Sequence, residues 1–313
     1  MQWLTPLGWK ELLEPYTADR FLLAIPMALA ALALAALAWR LYSRRELHGA
    51  YLRSASRSGS RLRAAGVFSL TLRLGRRRLL GWLVGVVATA AFIGSMAGSF
   101  VTLTKKNANY SDLLSKMSGG GEATSQIVSL FSVIVGILIV CETANAISSL
   151  AETEKKGILD VELASGTSRR RVVAAQAVAG AVESAILGAA GAATLAVAVG
   201  LSLDWEHGRE IAWKTATQWP ACVCLVGVGC LLYALSRKLT AGVWALVGWS
   251  FALSWFGKLL ELPEWASKTT LLGWSFSPSD TERLPQALGL LAVGLAASAF
   301  ATAACRRRDI LAS

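Results

Sequence analysis

Two carboxyl groups, Glu142 and Glu183, stand inside long apolar runs. A charge at the centre of a bilayer costs about 2.5–3.5 kcal/mol or more, so side chains kept there line a translocation path or bond to neighbouring helices. Both readings fit this pair. Lys258 also falls within an apolar run but near its end, where a four-carbon stem carries the ammonium to the interface. The histidines are His48 and His207, in connections on opposite sides of the runs. No Ser–His pair, His-Glu-x-x-His helix or aspartate pair lies within the runs, so the sequence offers no catalytic residue and argues against an intramembrane enzyme. Cys141, Cys222, Cys224 and Cys230 sit in apolar runs with no histidine nearby and behave as small hydrophobes, and with Cys305 they form no metal site or disulfide framework. Gly119-Gly120-Gly121-Glu122 lacks the lysine of a phosphate-binding loop, so the sequence shows no ATP site of its own.

The elements that hold these residues are membrane helices. Of 313 residues, 54% are hydrophobic and 16% charged, and the apolar residues gather in runs near 20 residues, the length a helix needs to cross hydrocarbon. The expected fold is an all-α integral membrane protein of about seven spans, at 21–42, 80–102, 126–150, 172–202, 217–236, 241–262 and 284–304. The run at 172–202 is long for one crossing and implies tilt or extension into water. A net charge of +11 does not point to nucleic acid, because the basic residues lie beside helix ends, facing lipid headgroups. Twenty Lys and Arg fall in 43–78, 151–171, the turn at Arg237-Lys238 and the tail, against nine in the alternate connections. The richer set faces the cytoplasm, which puts the N-terminus outside and the C-terminus inside. Trp205, Trp213, Trp219, Trp265 and Trp274 are expected in the outer interfacial belt.

An outside N-terminus without a signal peptide finds an explanation in an internal repeat. Gly8-Trp9, Pro15, Asp19-Arg20, a span and Arg44-Arg45-Glu46-Leu47 match Gly273-Trp274, Pro278, Asp280, Arg283, a span and Arg307-Arg308-Asp309-Ile310. Residues 1–52 then form the last span of a preceding unit, 53–65 a Ser/Arg/Gly-rich cytoplasmic linker, and 66–313 a complete six-span unit.

Within that unit, residues 66–79 place Phe68, Leu72 and Leu79 on one helical face and Arg73, Arg76, Arg77 and Arg78 around the rest. The pattern suits a short elbow helix lying in the inner interface before the chain turns into the membrane. The segment 151–171, AETEKKGILDVELASGTSRRR, reads as a small helix pinned between Gly157 and Gly166, with Ser168 placed to cap the next helix. Ile158, Leu159, Val161 and Leu163 form a short apolar run interrupted by Asp160 and Glu162, the composition of a docking element; an ordinary hairpin loop is the other reading. Arginines at a helix start oppose the macrodipole, which leaves topology as the simplest reason for Arg169, Arg170 and Arg171.

Glu152, Glu154, Gly157, Leu159-Asp160, Leu163-Ala164-Ser165 and Ser168-Arg169-Arg170 resemble the first cytoplasmic loop of permeases in the type-2 ABC exporter class. Thr5-Pro6-Leu7-Gly8-Trp9, Glu14-Pro15-Tyr16, Asp19-Arg20 and Arg76–Trp82 are similar to segments of actinobacterial polyketide-antibiotic exporter permeases, which have two fused six-span units. The resemblance implies a multi-pass bacterial plasma-membrane permease subunit, exporting a hydrophobic or amphiphilic compound. It also implies a separate cytoplasmic ATPase that binds ATP and magnesium and docks at Glu154, Gly157, Ile158, Leu159, Asp160, Leu163, Ser168 and Arg169. Ser165-Gly166-Thr167 departs from the familiar Thr-Pro-Val. The absent first unit implies a second membrane chain or a second copy of this one; a non-transporting partner subunit is the alternative reading.

Overall fold

The computed structural model describes residues 24–43, 66–106, 123–256, 269–271 and 284–305. The chain divides into two units, 1–62 and 63–313. In the first, helix α1 covers Ala24–Ser43. The second contains α2 (Val67–Ser95), α3 (Ala97–Lys106), α4 (Ala123–Lys155), α5 (Ile158–Ala164), α6 (Arg169–Ser202), α7 (Trp205–Ala216), α8 (Trp219–Leu235), α9 (Gly242–Phe256) and α10 (Leu284–Ala304). Among the described residues five segments are long and apolar enough to cross a membrane: Val67–Ser95, Ile127–Lys155, Arg169–Ser202, Trp205–Leu235 and Leu284–Ala304. The fold is all-α in its described part, as hydrocarbon requires of a chain whose backbone groups must be satisfied internally. The repeat motifs near both ends, the linker, His48, Lys258, Trp265 and Trp274 lie outside the described residues.

Two local expectations need correction. The elbow is not a separate helix: α2 runs unbroken for 29 residues from Val67, because Leu and Arg are strong helix formers and no proline interrupts them. Phe68 and Leu74 on it are exposed, while Val67, Leu79, Trp82 and Leu83 pack against the core. The break comes later, at Met96, where the Ser202 hydroxyl donates to the Gly94 carbonyl at 2.9 Å and a new helix, α3, begins.

The second correction concerns 203–216, expected as an outer loop. It is a helix, α7, which together with α8 makes up Trp205–Leu235, a segment long and apolar enough to cross a membrane. Asp204 caps it, accepting from the His207 backbone N–H at 2.9 Å, and this bond together with the His207 ring holds the Asp204 carboxyl below the ordinary carboxylate range. Gly208, Ile211 and Thr215 are its buried face, and Lys214 donates to Ser129 at 2.9 Å. Between α7 and α8, Gln218 donates to the Ser132 hydroxyl at 2.8 Å. Ser129 and Ser132 on α4 thus hold polar side chains on either side of the break. Trp219, exposed at the start of α8, donates to the Ala181 carbonyl at 3.0 Å, two residues from Glu183.

The core runs along α4, α6 and α8, with Val135, Ile147, Leu187, Leu195 and Leu225 buried. Lipid tails provide no hydrophobic drive between helices, so small residues and close contact must supply cohesion. The α8–α10 crossing shows this most sharply. A Cβ on Gly294 would stand 2.6 Å from the Val223 carbonyl oxygen and 2.8 Å from the Cys224 Cα, and one on Gly227 would collide with the Gly294 backbone. Gly294→Val should therefore force the two helices apart at a cost of about 1–3 kcal/mol. The expected outcome is a lowered thermal unfolding temperature of the purified chain, with Gly289→Val, which meets open space, as the unaffected comparison.

Candidate functional site

Arg78 enters the bundle from α2, while Arg73, Arg76 and Arg77 beside it stay exposed. The reason is helical phase. Gly75, Arg78, Leu79 and Trp82 share the face of α2 that packs inward, so the fourth arginine of the cluster has no route to water along the outside. Its Nε donates to Glu142 Oε1 at 3.2 Å, its Nη1 to Ser149 Oγ at 3.0 Å, and its Nη2 to Glu183 Oε2. Ser149 donates its own proton to the Ala146 carbonyl at 2.7 Å, which leaves its oxygen free to accept from the guanidinium. Glu142 is 0% exposed, Glu183 1% and Arg78 20%. One face of the cluster is pressed by Gly75, where a Cβ would stand 2.6 Å from Glu183 Oε1. Any larger residue there would displace the ion pair.

This arrangement realises one of the two readings of the carboxyls. Glu142 and Glu183 bond to a neighbouring helix, through one shared arginine. The three residues lie roughly 11 to 14 positions, or ~20 Å at 1.5 Å per residue, from the same end of α2, α4 and α6. That end carries α5. Arg78 was legible as one of four arginines but not as the buried one; the signal that distinguishes it is its place three residues after Gly75 and one before Leu79.

The α5 segment forms as its glycines dictate. Gly157 takes φ 72° and Gly166 φ 85°, left-handed backbone that a side chain would strain, and the seven-residue helix Ile158–Ala164 lies between them. Glu154 at the end of α4 and Arg169 at the start of α6 form an ion pair at 3.6 Å that closes the base of the connection. Ser168 occupies the N-cap position of α6, but its side chain makes no capping bond, a departure from the expected role. Leu159 is 2% exposed and packs into the core, with Leu163 partly buried beside it. They hold α5 to the bundle. Ile158, 48% exposed, and Asp160 form the outward surface. Among the described residues no cluster of side chains could hold a metal ion.

A helical bundle that spans the membrane several times, keeps a charge cluster inside and carries a pinned helix at its basic end has the architecture of a transporter's membrane component. The family relationship agrees. The chain belongs to the family described as the multidrug efflux system permease Rv1217c, C-terminal domain, which matches residues 65–306. It is 24% identical over 319 residues to the multidrug efflux system permease protein Rv1217c of Mycobacterium tuberculosis (strain ATCC 25618 / H37Rv). That alignment covers 99% of this chain and 57% of the relative, so the chain spans little more than half the relative's length.

The cluster makes a stability prediction. Arg78→Met leaves two buried carboxyls without a cation and should cost about 3–5 kcal/mol. Adding Glu142→Gln and Glu183→Gln to it removes the uncompensated charge and should recover most of that loss. Thermal unfolding of the three-site and single-site variants in detergent measures the difference.

Proposed function

We propose that this chain is the permease subunit of a type-2 ATP-binding-cassette exporter in a bacterial plasma membrane. It moves a hydrophobic or amphiphilic compound, antibiotic or drug-like, out of the cell. The observation that carries this reading is the family match over 65–306, which also supports taking 66–313 as one permease unit. The chain crosses the membrane seven times, N-terminus outside and C-terminus in the cytoplasm. ATP and magnesium belong to a separate cytoplasmic ATPase, and the chain performs no catalysis itself. A second membrane unit, from another chain or a second copy, faces it across the path. The small residues Ala28, Ala31, Ala35 and Ala38 of α1 suit close contact with that unit.

The ATPase docks on α5, and the burial pattern supports different parts for its residues. Ile158 and Asp160 make the contact, whereas Leu159 and Leu163 transmit it into α4 and α6. Ile158→Asp places an unpaired charge in an apolar contact, at a cost on the order of 3 kcal/mol, so ATPase retained on the purified chain should fall by ~100-fold. The amount of inserted chain should not change. Leu159→Asp should instead lower the chain's own thermal stability. Full ATPase retention and export by the Ile158→Asp variant would remove α5 from the coupling path. Orientation is checked in intact cells: a thiol at Asp112→Cys should react with an impermeant reagent, and one at Ser58→Cys should not.

A further inference from the structure

Two carboxyls meeting one guanidinium leave a formal charge of −1 inside the bundle unless something else is bound. The geometry says where. Glu142 Oε1 accepts from Arg78, but Glu142 Oε2 is buried with no hydrogen-bond partner. An ionised oxygen left in that position would forfeit its hydration without return. Space limits what can neutralise it. Gly75 and Arg78 close on the Glu183 carboxyl, and Glu142 is fully enclosed, so a hydrated metal ion or an organic ammonium has no room. A proton needs none, and the two carboxyl groups are gathered on one guanidinium, Glu142 at its Nε and Glu183 at its Nη2.

We propose that Glu142, Glu183 and Arg78 form a proton-binding site, holding one exchangeable proton between the two carboxyl groups. Uptake converts one carboxylate to a carboxylic acid, which donates to the other, and the cluster's charge goes from −1 to 0. The proton comes from water at the α5 end, where Arg78 is partly exposed and Arg76 and Arg77 reach the surface. The groups facing Glu142 are Arg78 from α2, Glu183 from α6 and Cys222 from α8, with Ser149 on α4 itself. Glu210 and Lys214 on α7 pair with each other toward the opposite end of α4, beside Ser125 and Ser129, and Asp160 on α5 is exposed. Release of the proton leaves an uncompensated charge where α2, α4 and α6 meet, so the clamp between these helices weakens as pH rises.

The test is infrared spectroscopy of the full chain in lipid nanodiscs, following the carbonyl stretch of protonated carboxyl groups as pH is raised. The wild type should show a band that disappears on alkalinisation, and both Glu142→Gln and Glu183→Gln should lack it, since each leaves one carboxylate paired with Arg78. Absence of the band in the wild type, or its persistence in either variant, overturns the site. Thermal unfolding in parallel guards against variants that lose the band by unfolding. The folded wild type binds one more proton than the unfolded chain, so its unfolding equilibrium should shift by ~10-fold per pH unit toward unfolding as pH rises. Both Gln variants should stay flat over the same range. Equal slopes in all three proteins would also overturn the proposal.

Discussion

Arg78 is the only cation the described structure shows bonded to Glu142 and Glu183, and the crossing of three helices is arranged around satisfying it. An ion taken from water loses several kcal/mol of solvation, which is recovered only when every donor and acceptor finds a partner in good geometry. The guanidinium donates to three side chains from two other helices, two of them carboxyls. The rest of the inner half follows. Gly75 must be small because the Glu183 carboxyl occupies the space beside it, and Ser149 must turn its proton to the Ala146 carbonyl so that its oxygen faces Arg78. A register slip of one residue on α2 would carry the guanidinium to another face and leave two buried acids behind.

Away from the cluster, cohesion comes from close approach and from single hydrogen bonds between side chains and backbone. Gln176 donates to the Ala146 carbonyl at 2.8 Å, and Trp244 to the Ser148 hydroxyl at 3.0 Å. Such bonds are worth about 0.6–2 kcal/mol each in a membrane, so no single one fixes the bundle. Their directions matter more than their energies. They tie α6 and α9 to the same stretch of α4 that carries Glu142 and Ser149, which makes α4 the axis against which the other helices are registered.

The sequence made the membrane class, most helix positions and the glycine-bounded α5 legible, because each rests on a local quantity: run length, or a residue type with one conformational meaning. It also singled out Glu142 and Glu183. It could not pair them with Arg78, since that contact spans 64 and 105 residues and depends on how α2 is rotated. The same limit hid α7. Its polar composition reads as a loop, and only the spacing of Gly208, Ile211 and Thr215 behind the Asp204 cap marks a helix whose charged side chains find partners on α4. Leu159 misled in the opposite sense. An apolar residue in a short connecting segment reads as an offered contact, yet the helix is held so close to α4 that its leucine completes the core.

That inward leucine ties the two halves of the site together mechanically. α5 is joined to the long helices by Leu159 and Leu163, which pack against the core, and by the Glu154–Arg169 pair at its base. α4 and α6 are 33 and 34 residues long, or ~50 Å, and nothing in the described stretch of either breaks its hydrogen-bond ladder. Glu142 and Glu183 therefore stand on two unbroken helices, each about 20 Å from the end that carries α5. Arg78 is anchored on α2, so any relative movement of α2, α4 and α6 would change its distances to the two carboxyls.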